Sequence, residues 1–118
     1  MVKCFALLTK KTSTSDEHFH NHWRTTHAEL ALRITSLRRY VQSHRIPDTS
    51  ASFAVAPFHG AAEVWYDDLA TAVGMRTNPQ YLEGAYPDEL NFINQPELKW
   101  LATQENVVVA GPPIAKNA

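Results

Sequence analysis

The chain has 118 residues, of which 44% are hydrophobic, and 11 basic against 12 acidic residues give a formal net charge of -1. This length and hydrophobic fraction fit one compact domain with a packed core and exclude a disordered chain. The balanced charge, without a block of like charges, argues against nucleic acid or an anionic membrane surface as the main partner.

The N-terminal sequence and the cysteine count narrow the class of protein further. No apolar run approaches the roughly 20 residues that span a bilayer. The first residues alternate and lack a small-residue cleavage site, which indicates a strand rather than a secretion signal. Cys4 is the only cysteine, which excludes an internal disulfide and a CxxC metal site. We therefore expect a cytoplasmic protein with one domain over residues 1–110 and a flexible tail over 111–118.

The first half of the chain predicts a strand, a helix and a second strand. Residues 2–9 are apolar on both faces, which favours a covered strand. Thr14 and Glu17 have the spacing of a capping box and predict the start of the helix. One face of this helix is apolar or aromatic at spacings of three and four residues. Its members are Phe19, Trp23, His27, Leu30, Ile34 and Leu37. A second strand is predicted over residues 40–46.

The second half predicts a loop, a strand, a helix and a last strand. These are a loop over 47–60, a strand over 61–67, a helix capped by Asp67 or Asp68 and ended at Asn78-Pro79, and a strand over 104–109. Residues 81–98 are interpreted as irregular or short-helical. Within them, Asp88 and Glu89 follow Pro87 and suit the first turn of a small helix.

The predicted order β-α-β-β-α-β is that of a ferredoxin-like α+β fold, a four-stranded antiparallel sheet with helices on one face. On the third strand, we expect the apolar set that includes Val64 to face the helices and Glu63 to face away. Strands that are apolar on both sides predict a partner sheet, and a second copy of the chain is the simplest one. A ligand pocket is then expected between helix and sheet, or under residues 78–98.

Four histidines crowd the first helix, and histidine titrates near neutral pH. His27 lies four residues after Trp23 on the core side, so it is either a structural histidine with a satisfied ring N–H or a proton-transfer residue. His18 and His22 have a spacing that can hold a metal, but no third ligand is evident. A solvated helix face is therefore favoured for His18, His20 and His22.

Tyr40, Gln42 and His44 fall on one face of the second strand, because side chains alternate along a strand. A polar row on a strand that should be buried indicates either a site or a wet dimer interface. We expect Tyr40 and His44, rather than its helical neighbours, to be the partners of His27, with His44 at the rim of the pocket.

Several segments together resemble the EthD-domain family. Its first helix and second strand are matched by EHFHNHWRTTHAELALRI and LRRYVQSHRI, and its third strand and second helix by HGAAEVWYDDLATAV. Its closing part is matched by PDELNFINQPE and TQENVVV. The resemblance covers nearly the whole chain and implies the dimeric α/β-barrel superfamily and a homodimer. One departure is His59-Gly60, where the family pattern has Asp-Gly.

The resemblance also implies roles for particular residues. His27 is similar in position to a proton-transfer histidine of the methylmuconolactone isomerase branch, and Tyr40 to a pocket tyrosine of that branch. Val64 stands where that branch has a cysteine, so the same isomerisation is not expected to run in the same way. Tyr81 stands where some polyketide cyclases of the superfamily carry a histidine.

Residues and resemblance together predict a small cofactor-free enzyme for isomerisation, cyclisation or dehydration of an aromatic, polyketide-like or lactone substrate. His27 is the expected general acid/base, Tyr40 the residue that holds the substrate oxygen, and His44 the third member of the catalytic set. Contacts to a small hydrophobic or phenolic ligand are expected from Trp23, Gln42, Val64, Tyr81 and Phe92. No metal or other cofactor is expected.

Three alternatives stay open at this point. The first is a cofactor-free oxygenase that acts on a hydroquinone or an anthrone. The second is a non-catalytic dimeric binding or accessory protein of a catabolic cluster. The third is a haem protein with a histidine as axial ligand.

Overall fold

The computed structural model describes residues 1–47 and 56–112. Their strands are β1 (Val2–Leu8), β2 (Arg39–His44), β3 (Gly60–Tyr66) and β4 (Lys99–Thr103). The strands pair antiparallel in the spatial order β2-β3-β1-β4. The predicted ferredoxin-like α+β fold is confirmed.

The helices of the described ranges pack on one face of this sheet. Helix α1 consists of Asp16–His22, a π-helical turn at Trp23–His27, and Ala28–Ala31. Helix α2 is Leu69–Gly74, and a 3-10 turn at Met75–Thr77 follows it. Asp68 caps α2 as predicted, because its side chain accepts a hydrogen bond from the Thr71 N–H at 2.8 Å.

Helix α3 occupies residues 79–92, which were predicted as irregular or short-helical. It contains a π-helical turn at Tyr81–Ala85 followed by a regular segment at Tyr86–Phe92. The N–H of Tyr86 bonds to the carbonyl of Tyr81. Pro87 has no N–H to give, and it lies in the first regular turn beyond the π turn, where proline is best tolerated. The helix therefore starts before the proline that the sequence analysis took as its beginning.

The core lies between the sheet and the helices. Alternate residues are buried from Cys4 to Leu8 in β1 and from Ala62 to Tyr66 in β3, and the β1–β3 register pairs Cys4 with Val64 and Ala6 with Ala62. The helices contribute Phe19, Trp23 and Phe92, all with no exposed area. The predicted inward set on the third strand is confirmed.

The predicted start of α1 is wrong. The N-cap of α1 is Ser15, whose hydroxyl accepts from the His18 N–H at 3.1 Å, so Thr14 and Glu17 form no capping box. Thr14 instead closes a turn, with its N–H bonded to the carbonyl of Lys11.

The last strand lies at 99–103 rather than 104–109. After α3 the chain returns to the sheet at once through the bridge of Ile93 with Lys10. A 3-10 turn at Gln95–Glu97 then sets Lys99 opposite Leu7, and the pairing reaches Thr103 opposite Lys3, near the start of β1. The valine-rich segment at 107–109 lies beyond this end of β1 and is therefore not part of the sheet.

Most of the predicted loop over 47–60 and of the predicted tail over 111–118 lies outside the described residues. Within the described ranges, no helix has both the length and the hydropathy that crossing a bilayer requires.

Candidate active site

A cavity of about 60 Å³, here called the inner cavity, lies between α1, α3 and the sheet. Its walls are mainly apolar, with Val64, Ile34 and Leu98 among them. The polar side chains that reach it are His27, Tyr40, Tyr66, Tyr81 and Glu89, together with Trp23. An apolar chamber with a few convergent polar groups is typical of a small-molecule site. The pocket is thus where the sequence analysis expected it.

The π turn of α1 brings His27 to this cavity. Phe19, Trp23, His27 and Ala31 are all buried at a constant spacing of four residues. In a regular helix such a spacing drifts around the axis by about 40° per step. The π turn at Trp23–His27 holds more residues per turn and reverses part of that drift. His27 therefore stays on the buried side instead of turning toward the helix edge.

Asp88 of α3 holds the ring of His27. The His27 Nδ1–H donates to Asp88 Oδ2 at 2.9 Å. The same carboxylate accepts from His22 Nε2 at 2.9 and 3.0 Å and from the Asn91 amide at 2.9 Å. The predicted partners of His27, Tyr40 and His44, are therefore wrong. The sequence analysis could not identify the actual partner, because it did not predict α3, the helix that carries Asp88.

The charges in this cluster are set by burial and hydrogen bonding. Burial lowers the pKa of His27, and the attraction of Asp88 only partly opposes that. Burial raises the pKa of Asp88, but the hydrogen bonds from Asn91, His22 and His27 outweigh it and hold the pKa below its ordinary value. Asp88 is thus a carboxylate that can only accept, which fixes the proton of neutral His27 on Nδ1. Its Nε2 has a free lone pair and no hydrogen-bond partner among residues 1–47 and 56–112.

Tyr40 presents a hydroxyl whose acceptor positions are already used. The Trp23 Nε1–H donates to it at 3.1 Å, and the Gln42 amide donates to it at 3.3 Å. Gln42 also donates to the Trp23 carbonyl at 2.8 Å. The Tyr40 proton has no acceptor in the described part of the chain, so it is available to an oxygen atom in the cavity. Burial raises the pKa of Tyr40, so the phenol keeps that proton at neutral pH.

His44 lies on the far side of Trp23 and does not line the inner cavity. Its ring stacks on Trp23 with centroids 4.3 Å apart, its Nε2 donates to Gln42 Oε1 at 2.9 Å, and its Nδ1 is 2.7 Å from His20 Nδ1. Burial lowers the pKa of His44 to about 4. Tyr40, Gln42 and His44 do share one strand face as predicted, but His44 supports Gln42 rather than the cavity.

The histidine-rich helix is therefore not mainly a solvated face. His22 and His20 are partly buried and bonded to Asp88 and His44, so the prediction that they face solvent is wrong, whereas His18 is exposed as expected. The described residues contain no group of three or more His, Cys, Asp or Glu side chains that could hold a metal ion.

A larger cleft of about 780 Å³, here called the outer cleft, adjoins the inner cavity. Leu69 and Val73 of α2 and Trp100 of β4 lie along it, each more than half exposed. It shares several wall residues with the inner cavity. These are Tyr66, Met75, Tyr81, Glu89, Leu98 and Trp100.

The predicted ligand contacts divide into two groups. Trp23, Val64 and Tyr81 line the inner cavity, whereas Gln42 and Phe92 do not. Phe92 is core and packs its ring 4.9 Å from the ring of His27.

Two acidic residues of the site escaped the sequence analysis. Asp88 and Glu89 are 7% and 4% exposed, although carboxylates are seldom buried without a partner. The sequence signal was present, since both follow Pro87, but it was interpreted only as the acidic first turn of a helix.

Comparisons with known proteins agree with this fold. Residues 11–96 match the EthD domain. An ethyl tert-butyl ether D (EthD) family protein from Bacillus halodurans is 22% identical, with a TM-score of 0.70 over 90% of this chain and 99% of that chain. A hydroxynitrile lyase from Passiflora edulis is 12% identical, with a TM-score of 0.68 over 92% of this chain and 95% of that one. A dimeric ferredoxin-like protein of unknown function from Bacteroides fragilis is 12% identical, with a TM-score of 0.64 over 88% and 95% of the two chains. No functionally curated protein matches the sequence significantly.

Proposed function

The chain belongs to the EthD family, and we propose that it is a small enzyme that moves a proton on an aromatic, polyketide-like or lactone substrate without a cofactor. One observation carries the proposal. The Nδ1 of His27 is held by a buried carboxylate at 2.9 Å, and His27 lines a cavity that Tyr40 also lines. A base oriented by a carboxylate, in one cavity with a donor for an oxyanion, is the arrangement that enolisation requires.

The chemistry follows from the protonation states. His27 Nε2 takes a proton from the carbon next to a substrate carbonyl, and the resulting imidazolium is stabilised by Asp88. The Tyr40 O–H donates to the oxygen on which negative charge develops. A placed base contributes roughly 10²–10⁴-fold and an oxyanion donor about 10²–10³-fold.

The two cavities constrain how a substrate lies. The inner cavity, at about 60 Å³, is smaller than the roughly 150 Å³ that holds one benzene molecule. Only the reacting carbonyl end fits beside His27, so the ring system lies in the outer cleft. The exposed apolar side chains of α2 and β4 then contact the body of the substrate rather than solvent.

Exchange of α-protons tests the proposal without knowledge of the natural substrate. β-Tetralone, a small bicyclic ketone, is incubated with the protein in D2O, and incorporation of deuterium next to the carbonyl is followed by NMR. We expect His27→Gln to slow the enzymatic exchange roughly 10²–10⁴-fold. His18→Gln is the matched control, because His18 is an exposed histidine of the same helix, and it should exchange like the wild type. Wild-type protein that binds β-tetralone but does not exchange its protons is a binding protein, and the proposal then fails.

We also propose that the chain forms a homodimer through the sheet face turned away from the helices. Phe5, Leu7, Val41 and Trp65 lie on this face and are half-buried, and the Bacteroides fragilis neighbour is described as dimeric. Sedimentation velocity should give a dimer for the wild type and a monomer for Phe5→Glu. Leu69→Glu places the same charge on the opposite side of the molecule and should stay dimeric. A monomeric wild type at micromolar concentration contradicts the proposal.

A further inference from the structure

We propose that Glu89 and Tyr81 form a second acid–base group of the inner cavity, and that the enzyme dehydrates β-hydroxy carbonyl compounds. The inference rests on the function proposed above, because it needs His27 as the base. It adds the group that protonates the leaving oxygen, and with it the class of substrate.

The first observation is the position of Glu89. Its side chain lines both the inner cavity and the outer cleft, as that of Tyr81 does. The Tyr81 hydroxyl is 2.6 Å from Glu89 Oε2, and the Gln95 amide donates to Oε1 at 3.1 Å. A substrate with its carbonyl beside His27 and its body in the outer cleft must pass this pair.

The second observation is that Glu89 is buried without a cation. It is 4% exposed, and none of the ion pairs among the described residues includes it. An isolated carboxylate is costly in such a place, so the neutral acid is favoured. Burial raises the pKa of Glu89 above its ordinary value, although the hydrogen bonds from Tyr81 and Gln95 oppose the rise.

The third observation is the contrast with the preceding residue. Asp88 accepts hydrogen bonds from His22, His27 and Asn91, and its pKa is held low. Two neighbouring carboxyls thus have pKa values displaced in opposite directions, which is how acid and base roles are separated in enzymes. When Glu89 is protonated, its O–H donates to the Tyr81 oxygen across the same short contact. The phenol proton of Tyr81 is then free to point into the cavity.

The need for a second acid selects the reaction. A shift of a proton between two carbons can be carried by one base that takes the proton and returns it. Loss of hydroxide is different, because hydroxide leaves poorly unless it is protonated.

The steps balance as follows. His27 Nε2 removes the α-proton, and the enolate oxygen is held by the Tyr40 O–H. The enolate electrons form the carbon–carbon double bond as the β-carbon–oxygen bond breaks. The leaving hydroxide takes the Tyr81 proton and departs as water, while Tyr81 regains a proton from Glu89. The imidazolium and the Glu89 carboxylate are then reset by proton exchange with solvent.

The test compares two reactions of one ring system. β-Tetralone reports α-deuteration, which needs the base. Its β-hydroxy derivative loses water and aromatises to β-naphthol, which is followed by fluorescence. We expect Glu89→Gln, which keeps the size and both hydrogen bonds of the side chain, to lower the ratio of dehydration to deuteration by about 10² or more. Tyr81→Phe should lower the same ratio. Glu83→Gln, an exposed position on the same helix, should leave both rates unchanged.

The pH profile separates a catalytic from a structural role. Wild-type dehydration should fall at high pH as Glu89 loses its proton, and Glu89→Gln should lack that limb. An unchanged ratio in Glu89→Gln and Tyr81→Phe overturns the inference, and so does a wild type that deuterates β-tetralone without dehydrating its derivative. A wild type that does neither overturns the proposed function itself.

Discussion

Replacement of Asp88 by asparagine tests the orientation of His27 directly. Asp88 is 7% exposed and accepts from His22, His27 and Asn91 at 2.9–3.0 Å. An amide has one acceptor oxygen, and its NH2 group cannot accept an imidazole N–H. Of the two imidazoles, one must lose its bond or move its proton to the other ring nitrogen. If His27 moves its proton to Nε2, that nitrogen loses the lone pair that the proposed base needs.

The size of the effect follows from these bonds. A hydrogen bond to a charged group contributes about 1.5–3 kcal/mol, and the variant loses one or two of them. We therefore expect Asp88→Asn to lower the free energy of unfolding by roughly 2–4 kcal/mol, which leaves most domains of this size folded. The loss of activity should be larger, about 10²–10⁴-fold in kcat, because the wrong tautomer of a catalytic histidine is nearly inactive.

Urea unfolding at pH 7.5 and deuteration of β-tetralone measure the two effects on the same samples. Because Asp88 raises the pKa of His27 against burial, the rising limb of the rate should also move to lower pH in the variant. Asp67→Asn is the control, since Asp67 is an exposed partner of Arg38 and surface ion pairs contribute little. Deuteration by Asp88→Asn at nearly the wild-type rate would refute the argument that this carboxylate orients the base.

Further predictions concern packing, pH and thiol reactivity. In Gly60→Ala the new Cβ would meet Trp23 ring carbons at 2.5 and 2.8 Å, so the free energy of unfolding should fall by about 1–3 kcal/mol, with a shift in tryptophan fluorescence. Gly74→Ala is the control and should not destabilise the protein, because its Cβ would have nothing within 4 Å. Equal stabilities of the two variants would contradict this packing. Because the folded pKa of His44 is lowered from 6.5 to about 4, its contribution to stability is complete above pH 6.5 and is lost as pH falls toward 4. Solvent screens this half-buried group, so the free energy of unfolding in urea should fall by roughly 1–2 kcal/mol over that range. If its dependence on pH is the same in His44→Gln as in the wild type, His44 is not the group responsible. Cys4 is buried with its pKa raised by burial, so it should react slowly with a thiol reagent until urea unfolds the chain, and fast labelling of the native protein would contradict that burial.

The fold could be predicted because each of its main elements has a local cause in the sequence. The alternation in β1 and β3, the apolar face of α1 and the Asp68 cap all depend on residues close together in the chain. Helix α3 depends on more distant contacts. Its π turn at Tyr81–Ala85 packs on α1 and the sheet through Tyr81 and Ala85. Pro87, in the regular segment after that turn, suggests a helix start to a reader of the sequence alone. The position of β4 likewise depends on where α3 ends, so one error led to the other.

For the same reason, the sequence analysis identified only some of the residues at the candidate site. His27, Tyr40, Trp23 and Val64 lie on elements with strong local patterns, and all four line the inner cavity. The partner of His27 lies 61 residues away in sequence on α3, and no spacing rule connects the two. His44 was assigned to the site because it shares a strand face with Tyr40, but Trp23 stands between it and the cavity.

Helix α3 gives the site its two kinds of carboxyl group. Successive residues of a helix point about 100° apart, so Asp88 and Glu89 meet different surroundings. Asp88 faces the imidazoles of α1 and keeps its charge, which orients the neutral ring of His27. Glu89 faces the phenol of Tyr81 at the junction of cavity and cleft, where no cation of the described chain balances it. In the mechanism that we propose, an acidic pair that would normally only stabilise a helix start takes opposite proton-transfer roles. His18, the exposed histidine of α1, has no carboxylate partner on α3, whereas His22 and His27 both bond to Asp88. The contacts of α3 therefore indicate the site better than the number of histidines in the sequence does.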